Sequence, residues 1–278
     1  MEGMSTERLV IASDFDGTVT DVAKEAQRYL EVYSAGLATV LGMDPYEMEA
    51  HMQQSRAEIV KNPGMYGWEY DGLIVAPALA DPYLTNISAV QLTLERLDKT
   101  IERDALDTLH KQAYQYTETV FRPDAQAYVE QLHATTDFTI VTNSKTDRVY
   151  QKLTRLLERS RLSTEDIRVV GDAKKYVIDN SWEQVAQTTQ PKGFPRPVYL
   201  RRKCYHDALF SGGQKPDIVI GDVYELDLAL PYALNIWTIL LLSRTTPKWE
   251  KTYYTRRTTL FQGGAVSTLA DVLDEVRG

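Results

Sequence analysis

A chain of 278 residues is long enough for one large domain or for a core carrying an inserted module. Hydrophobic residues make up 43% and charged residues 25%, enough for a packed core, while a net charge of -8 excludes a broad basic surface for gripping nucleic acid. The single cysteine, Cys204, excludes an internal disulfide and a cysteine metal cluster.

In chain order, residues 1–8 carry charges of both signs ahead of a short apolar stretch, so no targeting segment is expected. The short apolar run 9–12 stops at Asp14-Phe15-Asp16-Gly17 and reads as a buried strand ending in a turn. Val22, Ala26, Tyr29, Leu30, Tyr33, Leu37, Val40 and Leu41 recur at helical spacing, and Gly42 stands where a left-handed cap would end the run. Asp44-Pro45 predicts the start of a second helix and Asn62-Pro63-Gly64 its stop. More helix is expected over 87–121, punctuated by Leu92, Leu97, Leu106 and Leu109. The charge-rich stretch 95–107 reads as its solvated face.

Past Pro123 the pattern changes. A short helix ends near Leu132, and the run 138–142 predicts a second buried strand bounded by Asn143-Ser144. Val149, Leu153, Leu156 and Leu157 mark a helix, 167–170 a strand, 203–210 a short helix, and 218–220 and 236–242 further strands. Residues 188–197 read as loop. Leu269, Val272, Leu273 and Val276 form the apolar stripe of a last helix, opened by Thr268 with Asp271 in capping-box position. Strands alternating with helices imply an α/β, doubly wound parallel-sheet core covered on both faces, whose ligands bind beyond the carboxyl ends of the strands. The longest apolar run, 236–242, is far below the roughly 18 residues of a membrane span. With a lone thiol, this predicts a cytoplasmic protein without nucleic-acid or membrane partners.

Three predicted strands end in matched polar residues: Asp14 and Asp16, then Thr142-Asn143-Ser144, then Gly221-Asp222 with Asp227 just beyond. In a parallel sheet these ends converge. Clustered carboxylates raise one another's pKa, and a hard divalent cation such as Mg2+ resolves the conflict while drawing in phosphate oxygens. Asp14 is then placed to attack phosphorus, forming a covalent intermediate, and Asp16 to carry the proton of the leaving and attacking oxygens. Thr142 would donate to a phosphoryl oxygen. A lysine is also needed against the charge of the transferring group. Lys203, at the start of a helix before the Asp222 strand, is the choice, with Lys174 and Lys175 as rivals.

At this point the motifs match a known family. Asp14-Phe15-Asp16-Gly17-Thr18-Val19 resembles the first motif of the haloacid dehalogenase (HAD) superfamily, Ile140-Val141-Thr142-Asn143-Ser144 its second, and Gly221-Asp222 through Asp227 its acidic fourth. Lys203 ahead of Tyr205-His206-Asp207-Ala208-Leu209 is similar to its third, although Arg201-Arg202-Lys203 lacks the proline that often follows the family lysine. The resemblance implies a Rossmann-like catalytic core over 1–21 and 122–278 and a helical C1-type cap over 22–121. It implies magnesium held by Asp14, the main-chain carbonyl of Asp16 and Asp222, with Asp227 supporting. Thr142, Asn143 and Lys203 would surround the phosphoryl group.

Other readings compete residue by residue. Asp14, Asp16, Thr18 and Glu25 fall at EF-hand ligand spacings, but Val19 replaces the required glycine and the preceding segment is strand-like. Gly171-Asp172 is a second glycine-aspartate strand end, and choosing it would lose Asp227 and leave a long tail unexplained. The aromatic run 65–70 reads as core or as substrate pocket. His51, His110, His133 and His206 lack metal spacing and read as packing or surface residues.

The expected function is magnesium-dependent hydrolysis of a small phosphorylated metabolite, a phosphomonoester, through an aspartyl-phosphate. The alternatives are a phosphomutase or other phosphotransferase, a haloacid dehalogenase, and a non-catalytic phosphate-ester-binding protein on the same scaffold.

Overall fold

A computed structural model describes residues 8–255 and 263–277; the segment 1–7, read above as carrying no targeting signal, lies outside the described residues. In chain order the elements are β1 (Val10–Ser13), α1 (Val22–Leu41), α2 (Pro45–Lys61), β2 (Gly67–Tyr70), β3 (Leu73–Pro77), α3 (Pro82–Arg96) and α4 (Arg103–Tyr114). Then follow α5 (Ala125–Thr135), β4 (Asp137–Val141), α6 (Thr146–Leu156), β5 (Arg168–Val170), β6 (Thr188–Thr189), β7 (Val198–Tyr199) and α7 (Lys203–Leu209). The chain closes with β8 (Ile218–Gly221), α8 (Ala229–Ala233), β9 (Trp237–Leu241), α9 (Lys248–Thr255), β10 (Gly263–Val266) and α10 (Leu269–Arg277). The described residues form two compact units. One lies within Met1–Thr20, Phe121–Ser243 and Lys248–Gly278, the other within Asp21–Val120 and Arg244–Pro247.

The first unit is built on a six-stranded sheet of order β10-β9-β8-β1-β4-β5, parallel throughout. Alternate residues of each strand enter opposite cores, as the two-residue period of a strand requires. Ile11, Ile140, Ile218, Ile220, Ile239 and Leu241 pack on one face with Val129, Leu153 and Val272 of α5, α6 and α10. Ala12, Val141, Val219 and Leu240 pack on the other with Tyr205, Ala229 and Tyr254 of α7, α8 and α9. The strand order runs outward from β1 through β4 and β5 on one side and through β8, β9 and β10 on the other. Parallel sheets hold their ligands at such a reversal point, beyond the carboxyl ends.

The second unit packs α1–α4 around Tyr29, Leu37, Met48, Met52, Ile59, Ala89 and Ala113. Gly42 ends α1 in the expected left-handed conformation, φ 64°, donating to Ala38 O and Thr39 O. Asp44 caps α2 through its carboxylate and Pro45 fills its first turn. Three expectations are corrected here. Helix begins at Pro82, capped by the Asp81 carboxylate, five residues ahead of Ile87, because Asp81-Pro82 repeats the start chemistry of Asp44-Pro45. The helix expected over 87–121 is broken after Arg96, where Asp98 at φ 51° takes the left-handed position that glycine more often fills. The run 65–70 leads into an antiparallel pair, β2 with β3, whose bulge lies between Trp68 and Glu69; Tyr66 packs against the core of this unit and Met65 is exposed.

In the first unit, residues 188–197 are not simply loop, since Thr188 and Thr189 pair antiparallel with Tyr199 and Val198. The strand β10 and the helices α8 and α9 were not anticipated either; β10 carries two glycines and has little strand propensity of its own. His206 stacks on Phe210 at 4.4 Å and His110 bonds to Tyr29, so both histidines serve packing. No helix among the described residues is long and apolar enough to cross a membrane.

Removing a capping carboxylate costs about 1 kcal/mol. Asp81 Oδ1 accepts from Tyr83 N–H at 2.6 Å and Leu84 N–H at 3.2 Å. Asp81→Ala is therefore expected to lower stability by roughly that amount, read as a shift in the urea midpoint of helical circular dichroism.

Candidate active site

The register of the sheet brings the strand ends together. Ser13 pairs with both Ile140 and Ile220, so the next residues along β1, β4 and β8 lie side by side. Asp14 N–H donates to Ile220 O at 2.8 Å, holding the residue in line with β8. The chain then turns: Gly17 sits at φ 87°, and a Cβ there would come within 2.2 Å of Asp222 Oδ2. Glycine is required at this position both for its backbone and for the approach of the Asp222 carboxylate.

Asp14, Asp222 and Asp227 are all buried, and each offers a carboxylate oxygen within 4.8 Å of the others. Lys175 lies among them, 1% exposed. Its Nζ donates to Asp14 Oδ1 at 2.6 Å and to Asp227 Oδ1 at 2.8 Å, and stands 5.3 Å from the Tyr205 ring centre. Asp227 Oδ2 accepts from Val223 N–H at 3.0 Å, and its carbonyl accepts from Tyr205 Oη at 2.7 Å. Residues Tyr224–Leu228, just after Asp222 and including Asp227, wind as a π-helical turn, which carries the Asp227 side chain back to the Asp222 end of the turn.

Burial raises the Asp14 carboxyl to about 7; Lys175 works against this, and the charge of Asp227 adds to it. Burial disfavours the Lys175 ammonium too, but Asp14 and Asp227 outweigh it and keep the group charged. Asp14, Asp222 and Asp227 thus set three carboxyl groups beside the Lys175 ammonium in a buried space. Such hard oxygen donors fit a divalent cation, which would favour the ionised form of Asp14.

The remaining predicted residues are placed as follows. The Asp16 carboxylate is held by Ser144 Oγ, in the loop before α6, donating to Oδ2 at 2.5 Å, and by Lys152 Nζ of α6, donating to Oδ1 at 2.8 Å. Thr142 is buried at the end of β4, its Oγ1 accepting from Ser144 N–H at 3.2 Å, so its hydroxyl proton remains to be donated. Asn143 Oδ1 accepts from Lys175 N–H at 2.7 Å, which makes it a support for the lysine. Asp172 is not among the clustered carboxylates, and the later glycine-aspartate pair is the one that joins Asp14.

Lys203 is a correction. It is exposed on the first turn of α7 and paired with Asp207 one turn on. An i,i+4 partner on the same solvent face holds it there. The lysine at the carboxylates is Lys175, one of its two rivals. It follows the carboxyl end of β5, the same kind of position from which Asp14, Thr142 and Asp222 reach the site. Asp227, expected only as a support, contacts Lys175 directly.

Behind the acidic turn is a second buried charge group that sequence reasoning did not find. Glu225 receives Arg196 through two bonds of 2.8 Å. Glu250 on α9 is 0% exposed and accepts from Tyr224 N–H at 3.1 Å, and its Oε1 has no hydrogen-bond partner among the described residues. Burial, then the charge of Glu225, push the Glu250 carboxyl well above the glutamate range. The folded protein thus keeps a proton that the unfolded chain releases above the ordinary value of 4.5, so this group makes stability fall as pH rises beyond it. Glu250→Gln imitates the neutral acid. It is expected to match the parent in urea unfolding at about pH 4.5 and to exceed it at about pH 8; a parent with the same pH profile as the variant would contradict the assignment.

No protein-family model matches the sequence, and no curated protein matches it. Solved structures do share the fold. YfnB of Bacillus subtilis, described as a HAD-hydrolase and bound to magnesium, is 12% identical with a TM-score of 0.54, the match covering 98% of this chain and 100% of that one. A haloacid dehalogenase-like protein from Agrobacterium tumefaciens is 15% identical with a TM-score of 0.51, covering 96% of each chain. A predicted phosphoglycolate phosphatase from Haemophilus somnus is 14% identical with a TM-score of 0.50, covering 98% of this chain and 99% of that one. The α/β fold read from the sequence is thus the fold of the HAD-like hydrolases.

Proposed function

We propose that this protein is a magnesium-dependent hydrolase of the HAD superfamily that removes the phosphoryl group from a small phosphorylated metabolite in the cytoplasm. The observation that carries the reading is the buried group of Asp14, Asp222 and Asp227 around Lys175 at the carboxyl ends of a parallel sheet. Asp14, Asp222 and the main-chain carbonyl of Asp16 would hold the cation, with Asp227 in support, and bound there it supplies positive charge to phosphoryl oxygens. The magnesium in YfnB, a protein of the same fold, agrees with this choice.

The residues divide the work as follows. Lys175 holds Asp14 Oδ1, so Oδ2 is the oxygen that attacks phosphorus. The phosphorus–oxygen bond to the ester breaks, and Asp16 gives its proton to the departing oxygen. Water then attacks the aspartyl-phosphate and passes a proton to Asp16, releasing orthophosphate and restoring the Asp14 carboxylate. Thr142 donates to a phosphoryl oxygen, while Lys175 offsets charge on the transferring group. A phosphotransferase would share the first half of this sequence and differ only in the acceptor. The second aspartate, Asp16, counts against carbon–halogen cleavage, because the dehalogenase branch of the family lacks it.

Turnover of an aryl phosphate is expected with magnesium and is expected to stop reversibly on chelation. Asp14→Asn should abolish it; undiminished phosphate release in that variant would end the proposal. Lys175→Met should lose roughly a hundredfold or more in kcat, while Lys203→Met should stay within about twofold of the parent, as for most exposed surface pairs. The opposite ranking of the two lysines would return the assignment to Lys203.

A further inference from the structure

Lys175 has no helix or strand beneath it, for the chain runs without regular structure between β5 and β6. Bonds from outside the segment must therefore fix where the ammonium points. Two of them bracket the residue. On the amino side its N–H donates to Asn143 Oδ1 at 2.7 Å; on the carboxyl side its carbonyl oxygen accepts from Arg202 Nη1. The segment also holds Asp172 at φ 50° and Lys174 at φ 47°. Non-glycine residues keep such conformations when the surroundings enforce them.

Arg202 is among the largest fully buried side chains of the chain, 0% exposed. A guanidinium is costly to bury unless it is hydrogen-bonded and faced by opposite charge, and an apolar residue of similar volume would fill the space without that cost. Two of its bonds tie separate backbone segments together, since Nε donates to Tyr199 O at 3.0 Å at the end of β7 while Nη1 reaches the lysine segment. Burial lowers its pKa to about 10, against the pull of Glu225 and Asp227, so it stays charged. The same acidic turn that holds Asp227 thereby attracts the arginine that holds Lys175.

We propose that Arg202 is a positioning residue: by clamping the carbonyl oxygen of Lys175 to the end of β7, it sets the direction in which the lysine ammonium enters between Asp14 and Asp227. It touches no reacting atom and acts through the backbone of Lys175, and it rests on the phosphoryl-transfer reading given above.

Arg202→Lys and Arg202→Met are compared with the parent by aryl-phosphate turnover with magnesium and by thermal melting. Accessible lysines are also labelled with an amine-reactive acylating reagent and mapped by peptide mass. Arg202→Met is expected to lower kcat on the order of tenfold or more, as misplaced catalytic groups do, with KM within about twofold, the pattern of an interaction made in the transition state. Arg202→Lys keeps a charged donor and should recover part of the loss. Labelling of Lys175 should rise severalfold in both variants, while that of Lys152 at Asp16 stays level. Unchanged kcat and unchanged Lys175 labelling overturn the proposal. So does a loss of kcat that merely follows a loss of folded protein, with Lys152 and Lys175 exposed together. Should Arg202→Met fail to fold, Arg202→Lys decides by the same two readouts. If the parent itself turns over no phosphate ester, the phosphatase reading falls, while the labelling still reports whether Arg202 holds the lysine.

Discussion

The Lys175 ammonium, bonded to Asp14 and Asp227 at the buried edge of the sheet, is the contact on which the rest of the arrangement depends. Removed from water, two facing carboxylates repel strongly enough that one of them gains a proton. The ammonium allows both to remain in place with Asp222 close beside them. Burial of charge is unfavourable in itself, and Lys175 persists here because carboxylates of opposite sign face it on two sides.

The backbone has been shaped around that contact. Gly17 leaves room for the Asp222 carboxylate, the π-helical turn returns Asp227 to the same spot, and the left-handed residues at 172 and 174 turn Lys175 inward from the end of β5. Each of these conformations costs free energy locally, and the parallel sheet supplies the rigid frame that makes the cost worthwhile. Polar groups continue past the site: Glu225 of the same turn is buried against Arg196, and buried Glu250 of α9 accepts from the backbone of Tyr224.

Much of the frame was legible in the chain itself. The runs ending at Asp14, Thr142 and Asp222 were short, apolar and β-branched, and each became a strand of the central sheet. Glycine at 42 and the Asp-Pro pair at 44 and 45 marked helix ends by local chemistry that needs no tertiary partner. What escaped was structure without such a local mark. The pairing of Thr188–Thr189 with Val198–Tyr199 exists only because two distant, weakly strand-forming pieces meet, and Asp98 caps a helix in a conformation usually left to glycine.

By itself the sequence determined that acidic residues would end neighbouring parallel strands, because hydrophobic period and turn chemistry are written residue by residue. It could not decide which lysine meets them. Lys203 opens a helix and Lys175 lies in an irregular segment, and local pattern favoured the former. Only the folded chain, which turns one toward solvent and Asp207 and buries the other between two carboxylates, made the choice. The reason is physical: a side chain's electrostatic partners are set by where distant backbone segments cross, and that crossing is a property of the packed sheet and its loops.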